Sequence, residues 1–247
     1  GGGGEGGWQV DARILDTLDA ALSNFWNHLS VAIPACSITA ALARLVRPEI
    51  SSSPRPHLNS SRGDISARDC NRWSRVLRSL LRALRARPSD IALAVSACVA
   101  IAWLCERAVK LEAADASEVM SSFVVVMRAH PRESDVVESA CFMFSAAARS
   151  NDEKVRANVT NSGAPLLIVM ALKHFSEAQG DVQPVLRRVV HALRMARIED
   201  PGTAGAIRLA GAPEALTRVM ERHRENLMLV KNARAALSVL EEHQVDL

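Results

Sequence analysis

The stretch that decides the fold reads Asn158-Val-Thr-Asn-Ser-Gly-Ala-Pro-Leu-Leu-Ile-Val-Met-Ala-Leu172, then, after a polar break, Val182-Gln-Pro-Val-Leu-Arg-Arg-Val-Val-His-Ala-Leu193. A Gly-Ala-Pro turn feeds an apolar helix, a polar loop follows, and a second apolar helix returns. The pattern recurs 48 residues after Gly163: Gly211-Ala212-Pro213 opens a helix carrying Leu216, Val219 and Met220, and a last helix ends in Ala236-Leu237-Ser238-Val239-Leu240. A sharp corner between a short and a long helix often requires φ > 0, which glycine adopts without a Cβ penalty. The proline two residues on suits the first turn of a helix.

Working outward, the returning helices align by side-chain size. Ala97, Ala140, Leu186 and Ala233 form one column; Ile101, Phe144, Val190 and Leu237 form a second, at spacings of 43, 46 and 47. Leu104, Ala147, Leu193 and Leu240 form a third. The columns stand at i, i+4 and i+7, one face of each helix. Periods of this size mean a stacked helical array.

Composition agrees. Of 247 residues, 49% are hydrophobic, only 4% aromatic and none is Tyr, which favours helices packed through Ala and Leu. A formal charge of +3 is too small to imply nucleic-acid binding. The five cysteines, Cys36, Cys70, Cys98, Cys105 and Cys141, include no Cys-x-x-Cys pair and form neither a disulfide framework nor a zinc site. Free thiols point to a reducing compartment, cytoplasmic or nuclear. No apolar run is long enough to span a membrane. The opening Gly-Gly-Gly-Gly-Glu-Gly-Gly lacks Met and shows no secretory signal pattern, so we expect a fragment with a flexible tail over residues 1–7.

Along the chain, Asp11 caps a helix whose face holds Ile14, Leu15, Leu18, Leu22, Phe25, Trp26 and Leu29. Pro34 stops it or begins the next, and a shorter helix runs from about Ser37 to Val46. Residues 8–47 are thus an N-terminal helical extension. Residues 48–65, rich in Ser and Pro, read as a linker. The array occupies 66–247. From Ser66 a helix sets Trp73, Val76, Leu77, Leu80, Leu81 and Leu84 against Arg68, Arg72, Arg75, Arg78, Arg82 and Arg85. Pro88-Ser89-Asp90 ends it and caps an apolar helix, Ile91 to Cys105. Further helices span roughly Ser117–Ala129 and Ser134–Ala148. Ala21-Leu22-Ser23-Asn24-Phe25 could be another layer helix, but its spacing of 79 to Ile101 fits no single repeat.

These features resemble the armadillo repeat, a three-helix unit of about 42 residues. Gly163-Ala164 and Gly211-Ala212 match its turn. Ala140-Cys141-Phe142-Met143-Phe144-Ser145 and Ala233-Arg234-Ala235-Ala236-Leu237-Ser238 match its third helix. The first two copies lack the Gly turn and are closer to two-helix HEAT units. The resemblance covers about Ser66 to His243 and implies an all-α, right-handed α-solenoid of armadillo/HEAT-like repeats. It also implies a concave groove, lined by third helices, that takes peptides. The family's Trp positions fall on Val99, Phe142, Arg188 and Ala235, and its Asn positions on Trp103, Ala146, Ala192 and Val239. No Asn is kept, which argues against clamping a nuclear-localisation peptide by its backbone.

The expected partner-binding groove therefore uses Trp103 and Phe142 as anchors with Arg187, Arg188, Arg194 and Lys231 beside them. Its partner would be a protein segment carrying apolar and acidic side chains, since aromatic and Arg residues dominate hot spots. The basic helix, Arg68 to Arg85, offers an alternative: a membrane-peripheral module on an acidic surface. A structural subunit of a large assembly is a third reading. Seven scattered His, with no His-x-x-x-His, no Gly-x-Ser-x-Gly and no phosphate loop, leave no catalytic constellation, no metal site and no cofactor to expect. The reading is a non-enzymatic scaffold.

Overall fold

The computed structural model describes residues 11–45, 67–107, 113–150, 152–196 and 201–242. The Gly-rich tail 1–7 and the linker 48–65 lie outside the described residues. Those described form twelve α-helices and no strand: α1 Ala12–Phe25, α2 Leu29–Leu45, α3 Ala67–Ala86, α4 Ile91–Arg107, α5 Ala113–Ala129, α6 Ser134–Ala148, α7 Glu153–Asn161, α8 Ala164–Glu177, α9 Gln183–Met195, α10 Pro201–Leu209, α11 Ala212–Arg222 and α12 Leu227–Glu242. They fall into two compact units, Gly1–Lys110 and Leu111–Leu247.

In the first unit α1 packs on α2 and α3, and α4 packs on α2 and α3. The N-terminal helices are therefore part of the stacking. The helix expected from Ser37 begins instead at Leu29 and runs through Pro34. Proline removes one ladder hydrogen bond. The helix survives because its small face, Ala32, Ala35, Cys36, Thr39, Ala40 and Ala43, is buried. Among these, Cys36, Ala40 and Ala43 repeat the i, i+4, i+7 spacing of the layer helices. α2, and not Ala21–Phe25 of α1, is thus the layer helix of the first pair; residues 46–66 lengthen the spacing to α4 and hide the period. Burial pushes the Cys36 thiol up to about 12 and raises those of Cys98 and Cys141 as well. All three behave as small core residues.

In the second unit α9 lies against both α6 and α12, and α8 against both α5 and α11. Layer helices α6, α9 and α12 thus form one row and second helices α5, α8 and α11 another. Short α7 and α10 precede α8 and α11. Gly163 (φ 78°) and Gly211 (φ 89°) are left-handed N-caps, each followed by Pro in the first turn. Asp152 accepts a hydrogen bond from the Lys154 amide at 2.9 Å to cap α7.

The size columns occupy equivalent buried seats. Ala97, Ala140, Leu186 and Ala233 are all fully buried, as are Ile101, Val190 and Leu104, while Phe144, Ala147, Leu193 and Leu240 are nearly so. Leu237 is the exception and is only half-buried. It is on α12, which packs mainly on α9 and α11. Leu237 therefore contributes less to the core than Ile168, which is fully buried.

Ile168→Ala should cost about 2–5 kcal/mol and Leu237→Ala well under half of that, read from urea midpoints followed by circular dichroism. Equal losses would contradict the packing. Gly163→Ala and Gly211→Ala should each destabilise by about 1–2 kcal/mol. Gly205, inside α10 with nothing within 4 Å of its would-be Cβ, should by contrast tolerate or favour Ala.

Candidate functional site

Burying the size columns leaves one accessible line on each layer helix. On α6 it is Glu138, Phe142 and Ala146, ending at Arg149, the C-cap. On α9 it is Arg187, Arg188, His191, Arg194 and Met195, and on α12 Lys231, Arg234, Ala235 and Ser238. Because α9 lies between α6 and α12, the lines are neighbours. The expected Phe142, Arg187, Arg188, Arg194 and Lys231 thus come together on one face. Arg149, His191 and Arg234 join them on this face and were missed, because no motif singles them out.

Phe142 is not a bare anchor. The Arg188 guanidinium stacks over its ring at 5.2 Å and bonds Glu138 Oε1 at 3.3 Å. Phe142 and Arg188 share a column, so stacking the layers sets them side by side. This arrangement joins a cation–π contact to a partly exposed ion pair.

The other cations are less well matched. Arg149, Arg187, Arg194, Lys231 and Arg234 form no ion pair among the described residues; Glu138 is taken by Arg188. Arg194 Nη2 donates toward His191 Nδ1 at 3.4 Å, and Arg194 Nε is buried with no acceptor. Partial burial, and then the charges of Arg194, Arg149 and Arg188, hold the His191 pKa below its ordinary value. An imidazole accepting from one arginine amid two others makes this an electropositive seat.

Trp103 belongs to the first unit and is not bare either: the Arg44 guanidinium lies 4.8 Å from its ring centre. The accessible line on α4, Ile91, Val95, Val99 and Trp103, is apolar.

The basic helix α3 is partly neutralised. Asp16 on α1 binds Arg75 at 2.6 Å and Arg72 at 3.4 Å. Asp19 accepts from Ser79 at 2.7 Å. Arg78, Arg82 and Arg85 are exposed, and the Arg68 side chain lies outside the described residues. The apolar face, Trp73, Val76, Leu77, Leu80, Leu81 and Leu84, is buried in the core. Among the described residues no helix is long and apolar enough to cross a membrane, and no group of three or more His, Cys, Asp or Glu could hold a metal.

Acidification should expose the strain at His191. Its folded-state pKa is depressed, so the unfolded chain binds the proton more readily and stability falls as pH drops below the ordinary value of 6.5. Between pH 7.5 and 5.5 the urea midpoint of His191→Gln should fall less than that of the parent protein; parallel losses would show that His191 is not under this field.

No family profile matches the chain, and no curated protein matches it in sequence. Solved structures do. A designed armadillo repeat protein, YIII(Dq.V1)4CPAF in complex with peptide (KR)4, superposes with a TM-score of 0.51 at 17% identity, over 92% of this chain and 91% of that one. A second, YIII(Dq)4CqI, gives 0.47 at 18% identity over 92% and 91%. Together with the all-helical repeat architecture, the first of these likenesses shows the fold of the chain to be that of an armadillo repeat α-solenoid.

Proposed function

We propose that the chain is a non-enzymatic protein-binding scaffold whose α6–α9–α12 face receives an acidic segment of a partner protein. The observation that carries this reading is the run of accessible cations Arg149, Arg187, Lys231 and Arg234 on this face, none ion-paired among the described residues, beside Arg194 and a His191 whose pKa their field helps hold down. A carboxylate there would offset the mutual repulsion of the guanidiniums and accept from their accessible N–H groups. Apolar contact would come from Phe142, already stiffened by Arg188. The armadillo fold commonly mediates protein binding, and the designed neighbour in complex with (KR)4 is a peptide complex. Its peptide is basic, whereas the cations on this face favour the opposite charge. The membrane reading is not adopted, because the apolar side of α3 is spent on the core.

The reading is tested by fluorescence anisotropy with labelled (DE)4 and (KR)4 peptides. We expect (DE)4 to bind, with affinity falling as salt rises, and to lose at least tenfold on Arg149→Glu/Arg194→Glu, while (KR)4 does not bind. Tighter binding of (KR)4, or (DE)4 binding that ignores the double charge reversal, would overturn it. A thermal melt of each variant guards against loss of folding.

A further inference from the structure

A second surface lies on the row of second helices, away from the layer face. Between α5 and α8 is a cavity of about 260 Å³ lined by Met127, Arg128, Pro131, Leu167, Met170 and Ala171. Its lining is apolar apart from Arg128, and the same two helices carry exposed apolar side chains. Met170 is 56% exposed, Val125 44% and Leu166 42%. Leu166 and Met170 stand one turn apart on α8, and Val125 and Arg128 one turn apart on α5. Exposed apolar side chains beside an apolar cavity mark interaction sites.

The groove also has a polarity. Arg128 is the one charged residue in its lining. It is exposed and makes no ion pair among the described residues. Its Nη2 lies 3.6 Å from where a Cβ on Gly163 would sit, which places the guanidinium beside the N-terminus of α8. Helix N-termini carry partial positive charge; at α8 the Ala164 amide already donates to Ser162 Oγ and Pro165 has no N–H, so the charge and not a free donor is what the corner offers. The guanidinium and the helix end therefore repel one another mildly, and a carboxylate between them would relieve both. The apolar cavity and this electropositive corner are separate features at one place, and both bear on the ligand's chemistry.

We propose that the α5–α8 groove docks an amphipathic segment of a partner protein, placing one bulky apolar side chain in the cavity and a neighbouring carboxylate against Arg128. Recognition is by a single anchor and a single charge, the arrangement of a helix-in-groove or short-motif contact. This goes beyond the layer-face reading: it uses none of the same residues.

The test is to pan a displayed random peptide library against the protein and titrate the enriched peptides. Enriched sequences should carry a bulky apolar residue with Asp or Glu within one helical turn. Their affinity should fall at least tenfold on Met170→Glu and on Arg128→Glu, with melting temperatures unchanged, because both side chains are exposed. Met170→Glu should leave (DE)4 binding at the layer face as it was, so failure here and failure there are separable. Enrichment of basic in place of acidic residues, or peptides whose binding ignores Met170, would overturn the proposal. So would sedimentation showing self-association that Met170→Glu abolishes, since the occupant would then be a second copy of the chain.

Discussion

The structure depends on how closely one layer helix can approach the next. Ala97, Ala140 and Ala233 sit with no exposed surface at the same seat on three layer helices. A side chain that ends at Cβ lets neighbouring backbones come near, and the larger Ile101, Phe144 and Val190 then fill the space one turn on. Leu186 takes the small residue's seat on α9, so the rule is one of summed volume across the interface. In the first unit α2 carries the idea furthest, burying only Ala, Cys and Thr.

Much of this was legible from one sequence, because each layer helix obeys the same geometric requirement and prints it at i, i+4, i+7. Gly163 and Gly211 were legible for a different reason: a left-handed corner accepts few other residues. What was not legible has physical causes too. Pro34 reads locally as a stop, yet burial of the small face of α2 outweighs one lost hydrogen bond. The period from α2 to α4 was disguised by a long intervening segment. Leu237 has the right spacing but is only half-buried, and a column cannot say how many neighbours a helix has.

The candidate site was half legible for the same reason. Arg187, Arg188, Arg194 and Lys231 follow from knowing which line of a layer helix stays accessible. That Arg188 would lie over Phe142 follows only once two layers are in register. The electropositive seat needs a capping residue, Arg149, and a histidine, His191, that no motif singles out. The two units also differ in what their accessible lines present: aliphatic and indole surface on α4, guanidinium and imidazole on α9. The backbone plan is shared; its surface chemistry is set by positions that stacking leaves free.

The division into two compact units has a spectroscopic consequence. The chain has four tryptophans, Trp8, Trp26, Trp73 and Trp103, and no Tyr. All four fall within Gly1–Lys110, so Leu111–Leu247 has no indole or phenol chromophore. Intrinsic emission therefore watches one half of the molecule, with Trp73, only 2% exposed, as its buried sentinel. Ellipticity watches both halves, and any gap between the two curves on denaturation would report how independently the halves come apart.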